Sequence, residues 1–261
     1  MKSMEIASSG MLAQQRNVEV ISNNIANLST TGFKKQRAEF QDLMYENIRR
    51  PGSESNEAGN IVPTGIQIGG GVKTAAVYRM HSQGDIKNTD NPLDLAISGR
   101  GFFQVQMPDG TTTYTRAGSL QLNADGTVVT PDGLPIIPQI SVPQDTVELT
   151  VNASGQVAAK IDGQTTPTVV GQIQFANFVN PPGLEAIGDN LLRETPASGA
   201  PVTGNPNTNG FGKIRQYALE GSNVNIVNEV TNLISAQRAY EMNSRTIKAS
   251  DEMMSALSNL R

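Results

Sequence analysis

Asp90 and Asp94, in the stretch Thr89-Asp90-Asn91-Pro92-Leu93-Asp94, are the carboxylates whose spacing most nearly suggests paired acid and base work on a sugar linkage. The neighbouring acids explain themselves without chemistry. Asp109, Asp125, Asp132 and Asp162 each precede glycine in a tight-turn pattern, and Asp85 caps a loop, roles that a local side-chain to backbone bond accounts for. His81 is the single histidine, so neither a two-histidine metal site nor a histidine relay can be assembled, and its place after Tyr78-Arg79-Met80 predicts a surface position at a strand end. The sequence holds no cysteine, which excludes a thiolate ligand, a cysteine nucleophile and a disulfide framework. Gly69-Gly70-Gly71 and Gly99-Arg100-Gly101 lack the spacing, and the following helix, of a phosphate-binding loop, and no serine sits in a nucleophile elbow. The expectation is therefore a protein that is not an enzyme, with no catalytic residue, no cofactor and no metal. A secreted carbohydrate-acting or adhesive β-protein built on Asp90 and Asp94 is the rival reading.

Composition narrows the partners. Aromatic residues make up 5% of the 261 and tryptophan is absent, whereas glycine (25) and proline (14) are plentiful, a balance that suits a turn-rich β-protein. Twenty Lys and Arg stand against 24 Asp and Glu, for a net charge of -4, and the densest basic cluster is Lys34-Lys35-Gln36-Arg37, so no nucleic-acid partner is expected. No run approaches the ~20 apolar residues of a membrane span, and the first thirty residues lack a cleavable secretory signal. No membrane insertion is expected, and any export uses another route.

Period-seven spacing marks both ends of the chain. Met4, Met11, Val18 and Ile25 open it, with Ala7, Ile21 and Leu28 at intermediate positions, and Ile226, Leu233, Tyr240, Ile247 and Met254 close it, with Val230, Ile234 and Leu257 beside them. The spacing predicts a helix over 1–28, ended by Ser22, Asn23, Asn24 and Asn27 before Gly32, and a longer one from about Asn225 onward. Phe40, Leu43, Met44 and Ile48 predict a short helix stopped by Pro51 and Gly52, and a glycine-rich extended loop reaches from there to Gly71. Beyond Val72 the period becomes two. Leu93, Leu95 and Ile97, then Phe103, Val105 and Met107, alternate with Asp94, Ala96, Ser98, Gln104 and Gln106, as half-buried strands do. Turn signals at Pro108-Asp109-Gly110, Asp125-Gly126, Pro131-Asp132-Gly133, Ser154-Gly155 and Asp162-Gly163 predict a meander of hairpins. The pattern fades after Val179, and residues 195–212 read as an irregular excursion or linker. The predicted fold is α+β: a discontinuous coiled-coil domain from the N- and C-terminal helices (1–32 and 221–261), a short helix and linker loop (33–71), and a central β-rich domain (72–220).

The first helix carries only Lys2, Glu5, Arg16 and Glu19 as charges, fewer than a solvated helix normally shows, so its surface is expected to be covered by protein. Closing one seam on its twin does not offset the entropy of ordering so many residues, which points to additional copies of the same chain and to termini that order on assembly. Periodicity leaves a dimer, a ring and a filament open, although contacts that fail to close generate filaments.

Asn23-Asn24-Ile25-Ala26-Asn27 followed by Thr31-Gly32-Phe33-Lys34 resembles the N-terminal signature of bacterial flagellar rod and hook proteins. Leu93 to Phe103, Tyr114 to Leu120 with Asp125-Gly126, and Glu220 to Met242 are similar to further blocks of that family, in order. The length points to the distal-rod branch or its proximal relative, and Tyr45 to Val62, with Arg49-Arg50-Pro51-Gly52, resembles an insertion typical of the distal rod. The resemblance implies a subunit of a rigid helical tube that crosses the periplasm, transmits torque to the hook and encloses an export channel. It further implies unfolded export through the flagellar type III apparatus. The implied neighbours are further copies, proximal rod proteins, the hook protein, the surrounding ring bushing and a rod cap. Met4, Met11, Val18, Ile21, Ile25, Leu28, Val230, Leu233, Tyr240, Ile247, Met254 and Leu257 would form the assembly interface; Asn23, Asn24, Asn27, Gly32 and Phe33 the family motif; Arg49, Arg50, Pro51 and Gly52 a stiffening loop.

Overall fold

The computed structural model describes residues 2–52, 64–164 and 166–259, without the side chains of Leu257 and Asn259. The fold is α+β, with a helix at each end and a β-rich middle. The chain forms two compact units and passes between them after residues 25, 35, 78 and 225. The first unit takes 1–25, 36–78 and 226–261; the second takes 26–35 and 79–225. The segment 26–35 thus belongs with the β-rich unit, where the sequence had set it with or just after the first helix.

In the first unit, α1 spans Lys2–Ala26 and α2 spans Ile226–Asn259. At 34 residues α2 is about 50 Å long. Helix α1 stops two residues short of the predicted end, where asparagine side chains compete for backbone donors and turns closed by Thr30 N–H to Asn27 O (3.3 Å) and Phe33 N–H to Thr30 O (3.3 Å) take over.

The predicted short helix over Phe40–Ile48 is not formed. Strands β1 (Gln36–Asp42) and β2 (Tyr45–Arg49) occupy that stretch; β1 pairs with β4 (Val72–Arg79) and β2 with β3 (Ile66–Gly69). Burial along β1 alternates, with Gln36, Ala38 and Phe40 half-buried and Arg37, Glu39 and Gln41 exposed, which is period two. The offsets among Phe40, Leu43, Met44 and Ile48 straddle a kink between two strands. The partners that satisfy these backbones lie some thirty residues on, outside any local window. The predicted extended loop from Gly52 to Gly71 likewise contains β3, and Arg49 belongs to a strand opposite Ile66. Pro51 and Gly52 form a turn, with Gly52 at φ +77°, and Ser53–Pro63 lie outside the described residues. The Ser9 hydroxyl of α1 accepts the Val72 N–H at 3.2 Å, and Lys2 pairs with Glu46 of β2.

The second unit is built on a seven-stranded antiparallel sheet. Its order is Glu185–Gly188, Leu191–Arg193, Thr112–Thr115, Phe102–Gln106, Phe175–Asn177 and Val202–Gly204, with Ile136–Ile137 also paired to Phe102–Gln106. This order corrects the expected meander, because strands far apart in the chain lie side by side. Residues 195–212 are irregular, as one of the two expected readings has it, apart from the edge strand Val202–Gly204, which pairs with Phe175–Asn177. A three-stranded sheet (Thr146–Val151, Gln156–Ile161, Thr168–Gln172) and short ribbons complete the unit. The strand Phe102–Gln106 is buried on both faces: Phe103 stacks edge-on to Phe175 at 5.5 Å in one cluster, while Phe102 packs with Tyr114 and Phe178 in the other. Leu95, Ala96 and Ile97 are all buried, so this strand too is covered on both sides, more than alternation predicts.

Candidate functional site

The two helices of the first unit meet through small and polar side chains. Ser3 Oγ lies 3.2 Å from Ser250 Oγ, and Asn24 Nδ2 donates to Glu229 Oε2 at 3.1 Å. Gly10 sits so close to Asn243 that a β-carbon added there would stand 2.8 Å from the Asn243 amide nitrogen. Positions 3, 10 and 24 on α1 and 250, 243 and 229 on α2 repeat at seven or fourteen residues, running in opposite directions. The period-seven pattern therefore holds, and small and polar side chains take part in this contact on helices that also bury Ala7, Ala13, Val20, Ile21 and Ala236.

The expected interface residues lie beside this contact. Ile21 is buried; Met4, Met11, Val18, Ile25, Leu28, Leu233 and Ile247 are half-buried. Val230 (41%), Tyr240 (44%) and Met254 (46%) are exposed, together with Val227, Ile234, Met242 and Met253, which the sequence pattern had not emphasised or had placed beside the seam. The side chain of Leu257 lies outside the described residues. Among the described residues no helix is long and apolar enough to cross a membrane.

Asn23 is exposed, and the other family-motif residues are held as follows. Asn24 is 1% exposed; its Oδ1 accepts the Gln36 N–H at 2.8 Å and its Nδ2 donates to the Gln36 carbonyl at 2.9 Å as well as to Glu229. Asn27 Oδ1 accepts from Thr30 Oγ1. Gly32 adopts φ +70° and donates its N–H to the Glu220 carbonyl at 2.8 Å, and a methyl there would stand 2.7 Å from Ala117 N. Phe33 is buried beside it in sequence.

Lys34 exposes the largest polar feature that sequence reasoning missed. Its ammonium donates to Glu220 Oε1 at 2.6 Å and to the Ser82 carbonyl at 2.8 Å. The Glu220 carboxylate is fully buried, also accepts the Gly84 N–H at 2.9 Å, and meets Arg116 Nε at 3.4 Å. Arg116 in turn donates to the carbonyls of Gly99 and Gly101. Burial lowers the Lys34 pKa, with the Arg116 charge adding to the effect and Glu220 opposing it; burial likewise lowers that of Arg116, again opposed by Glu220. These contacts fasten the motif segment 30–35 into the β-rich unit, with Lys35 N–H to Asn223 Oδ1 (2.6 Å) and Asn190 Nδ2 to the Thr31 carbonyl (3.3 Å).

The candidates for catalysis stay apart. Asp94 is buried, but its carboxylate accepts from Asn91 Nδ2 and its backbone closes a turn on Asn91, while Asp90 is exposed. His81 is not the surface residue expected: it lies edge-on to Phe102, and Nδ1 is buried without a partner. Burial, then the charges of Lys34, Arg116 and Arg79, push its pKa down to about 4. It lines a cavity of about 430 Å³ with Gly101, Phe102, Arg116, Phe178 and Pro181, into which no carboxylate is brought. Asp109, Asp125, Asp132 and Asp162 precede glycines at φ between +76° and +81°, as turns require.

Residues 4–34 match the family described as flagella basal body rod protein, residues 96–159 the flagellar hook protein FlgE/F/G D1 domain, and residues 215–260 the flagellar basal body rod FlgEFG protein C-terminal family. The flagellar basal-body rod protein FlgG of Caulobacter vibrioides is 56% identical over 261 residues, covering all of both chains. The chain belongs to the flagellar basal-body rod protein FlgG family. A second such protein, from Agrobacterium fabrum, is 51% identical over 99% of this chain and 98% of its own, and the flagellar hook-basal body complex protein FlhP of Bacillus subtilis is 28% identical over the whole of both.

This rod subunit is a structural component of the flagellar distal rod. The first matched segment contains α1 and the motif through Lys34; the last contains Glu220, Glu229 and α2. Lys34, Arg116 and Glu220 stand inside quoted blocks of the sequence. A lone acid closing the apolar strand Ala218-Leu219-Glu220 was the available signal that it is buried and paired.

Proposed function

We propose that this rod subunit self-assembles into a rigid helical tube that transmits torque to the hook and encloses part of the export channel. The exposed apolar surface of α2 carries this reading. Val227, Val230, Ile234, Met242, Met253 and Met254 are each at least 41% exposed on a helix whose contact with α1 includes the Ser3–Ser250 and Asn24–Glu229 bonds. A helix pair with that arrangement acts as one half of a coiled-coil layer and uses its apolar residues for further copies. Contacts of that kind, made head to tail, build a helical filament where the rotation does not close into a ring. The interface comprises Met4, Met11, Val18, Ile21, Ile25, Leu28, Val230, Leu233, Tyr240, Ile247, Met254 and Leu257. The hairpin arm bearing Arg49, Arg50, Pro51 and Gly52 wedges between neighbours and stiffens the shaft. The neighbours are proximal rod proteins, the hook protein, a ring bushing around the β-rich unit and a rod cap, reached by type III export into the periplasm.

The test separates assembly from folding. Val230→Asp with Ile234→Asp places charges on exposed positions that do not carry the contact with α1. Such a chain is expected to keep the β-rich unit folded by circular dichroism, to form no tubes by negative-stain microscopy and to leave cells non-motile. Retained motility with tubes of normal length overturns the proposal.

A further inference from the structure

We infer that Asn24 sets the register of the two terminal helices, selecting one of two alignments that the sequence allows. The native contacts put 3 opposite 250, 10 opposite 243 and 24 opposite 229, so position 17 falls opposite 236. Position 17 is also asparagine. If α1 slid by one heptad, Asn17 would come opposite Glu229, Gly10 opposite Ala236 and Ser3 opposite Asn243, and small or polar side chains would again face one another. A contact made of such residues discriminates poorly between registers, because each step offers nearly the same packing.

What differs between the two asparagines is what else they can reach. Asn24 reads three groups at once: the N–H and carbonyl of Gln36, which begins β1, and the carboxylate of Glu229 in the first turn of α2. Both of its amide donors and its carbonyl oxygen are engaged while it is 1% exposed. Asn17 lies within α1, nine residues from its end, and has no Gln36 peptide to meet. The slipped register would leave the half-buried Gln36 peptide without the Asn24 amide, and the buried Asn24 without the buried Glu229 carboxylate. A single buried polar residue that specifies alignment at some cost in stability is the best-attested use of such a group.

The chain has no cysteine, so engineered pairs report register directly. Ser3→Cys with Ser250→Cys reads the native alignment, and Ser3→Cys with Asn243→Cys reads the slipped one; a disulfide within one chain changes its mobility on a non-reducing gel without making a dimer. In full-length chain oxidised after assembly in cells, and as purified protein, the first pair is expected to cross-link and the second to stay near background. Asn24→Leu is expected to raise the slipped product relative to the native one by about tenfold. Adding Asn17→Ala to that variant removes the slipped product, and Glu229→Gln, which keeps an acceptor, retains the native pattern. If Asn24→Leu fails to fold, Asn24→Leu with Glu229→Leu leaves no unpaired buried charge at this contact and is expected to give both products. Cross-linking only through 3 and 250 in a helical Asn24→Leu chain, or in that double variant, overturns the inference. Because the products form within one chain, the result does not depend on whether copies assemble.

Discussion

The single histidine makes the pH dependence of the β-rich unit unusually direct to read. His81 titrates at about 4 in the folded chain against an ordinary 6.5, chiefly because it is buried and then because Lys34, Arg116 and Arg79 are near. A folded-state pKa below the unfolded value means that the unfolded chain takes up a proton which the native chain refuses. Stability is therefore complete above about pH 6.5 and falls as pH drops towards about 4, over a total span of about 3 kcal/mol. Between about pH 7.5 and about pH 5 the loss is about 2 kcal/mol, an order-of-magnitude figure ahead of most carboxylate titration. Two measurements check it. Urea unfolding followed by near-ultraviolet circular dichroism of the buried Tyr114 should show a lower midpoint at the acid end, and His81→Gln should flatten that slope. The imidazole resonance of the native protein, the only one present, should remain that of the neutral ring down to about pH 5. A native imidazole titrating near 6.5, or a slope that survives His81→Gln, refutes the reasoning.

Glu220→Gln leaves Lys34 and Arg116 as buried cations with no opposing charge, and is expected to destabilise the β-rich unit by about 3 to 5 kcal/mol in urea unfolding, with helix content of α1 and α2 a separate readout. Gly32→Ala forces a side chain into φ +70° and against the Ala117 backbone, and is expected to cost about 1 to 3 kcal/mol by the same assay, whereas Gly52→Ala, at φ +77° with open space around it, should cost less.

The sequence made the large features legible and concealed those that depend on distant partners. Period-seven spacing located both helices because helical neighbours lie within one window. Turn signals located the hairpins of the three-stranded sheet for the same reason, since Val151 and Gln156 are close in the chain. The strands β1 and β2 were misread as a helix because their partners β4 and β3 enter only later in the chain. The segment 195–212 is irregular as expected except at Val202–Gly204, which went unread because three residues, paired with a strand some twenty-five residues earlier, leave no alternation of their own. The Lys34, Glu220 and Arg116 cluster was hidden for a related reason: three charged residues from separate blocks acquire meaning only when the fold removes water from all of them.

The faces of the helices divide two tasks that a single apolar seam would confuse. If Met4, Met11, Val18 and Ile25 closed on Leu233, Tyr240 and Ile247 within one chain, each side chain would gain roughly 1.5 to 3 kcal/mol there and little would remain for neighbours. In the structure the chain also joins its own ends through Ser3, Gly10, Asn24 and their partners, and Met4, Met11, Val18, Ile25, Leu233 and Ile247 are left half-buried. Apolar surface remains exposed on Val227, Val230, Ile234 and the methionines of α2. Under the proposed assembly that surface is buried when copies meet, and the terminal helices gain stability there that the isolated chain lacks. An isolated chain should accordingly hold its β-rich unit more firmly than its helices, and the order of loss on heating follows from which side chains each part buries alone.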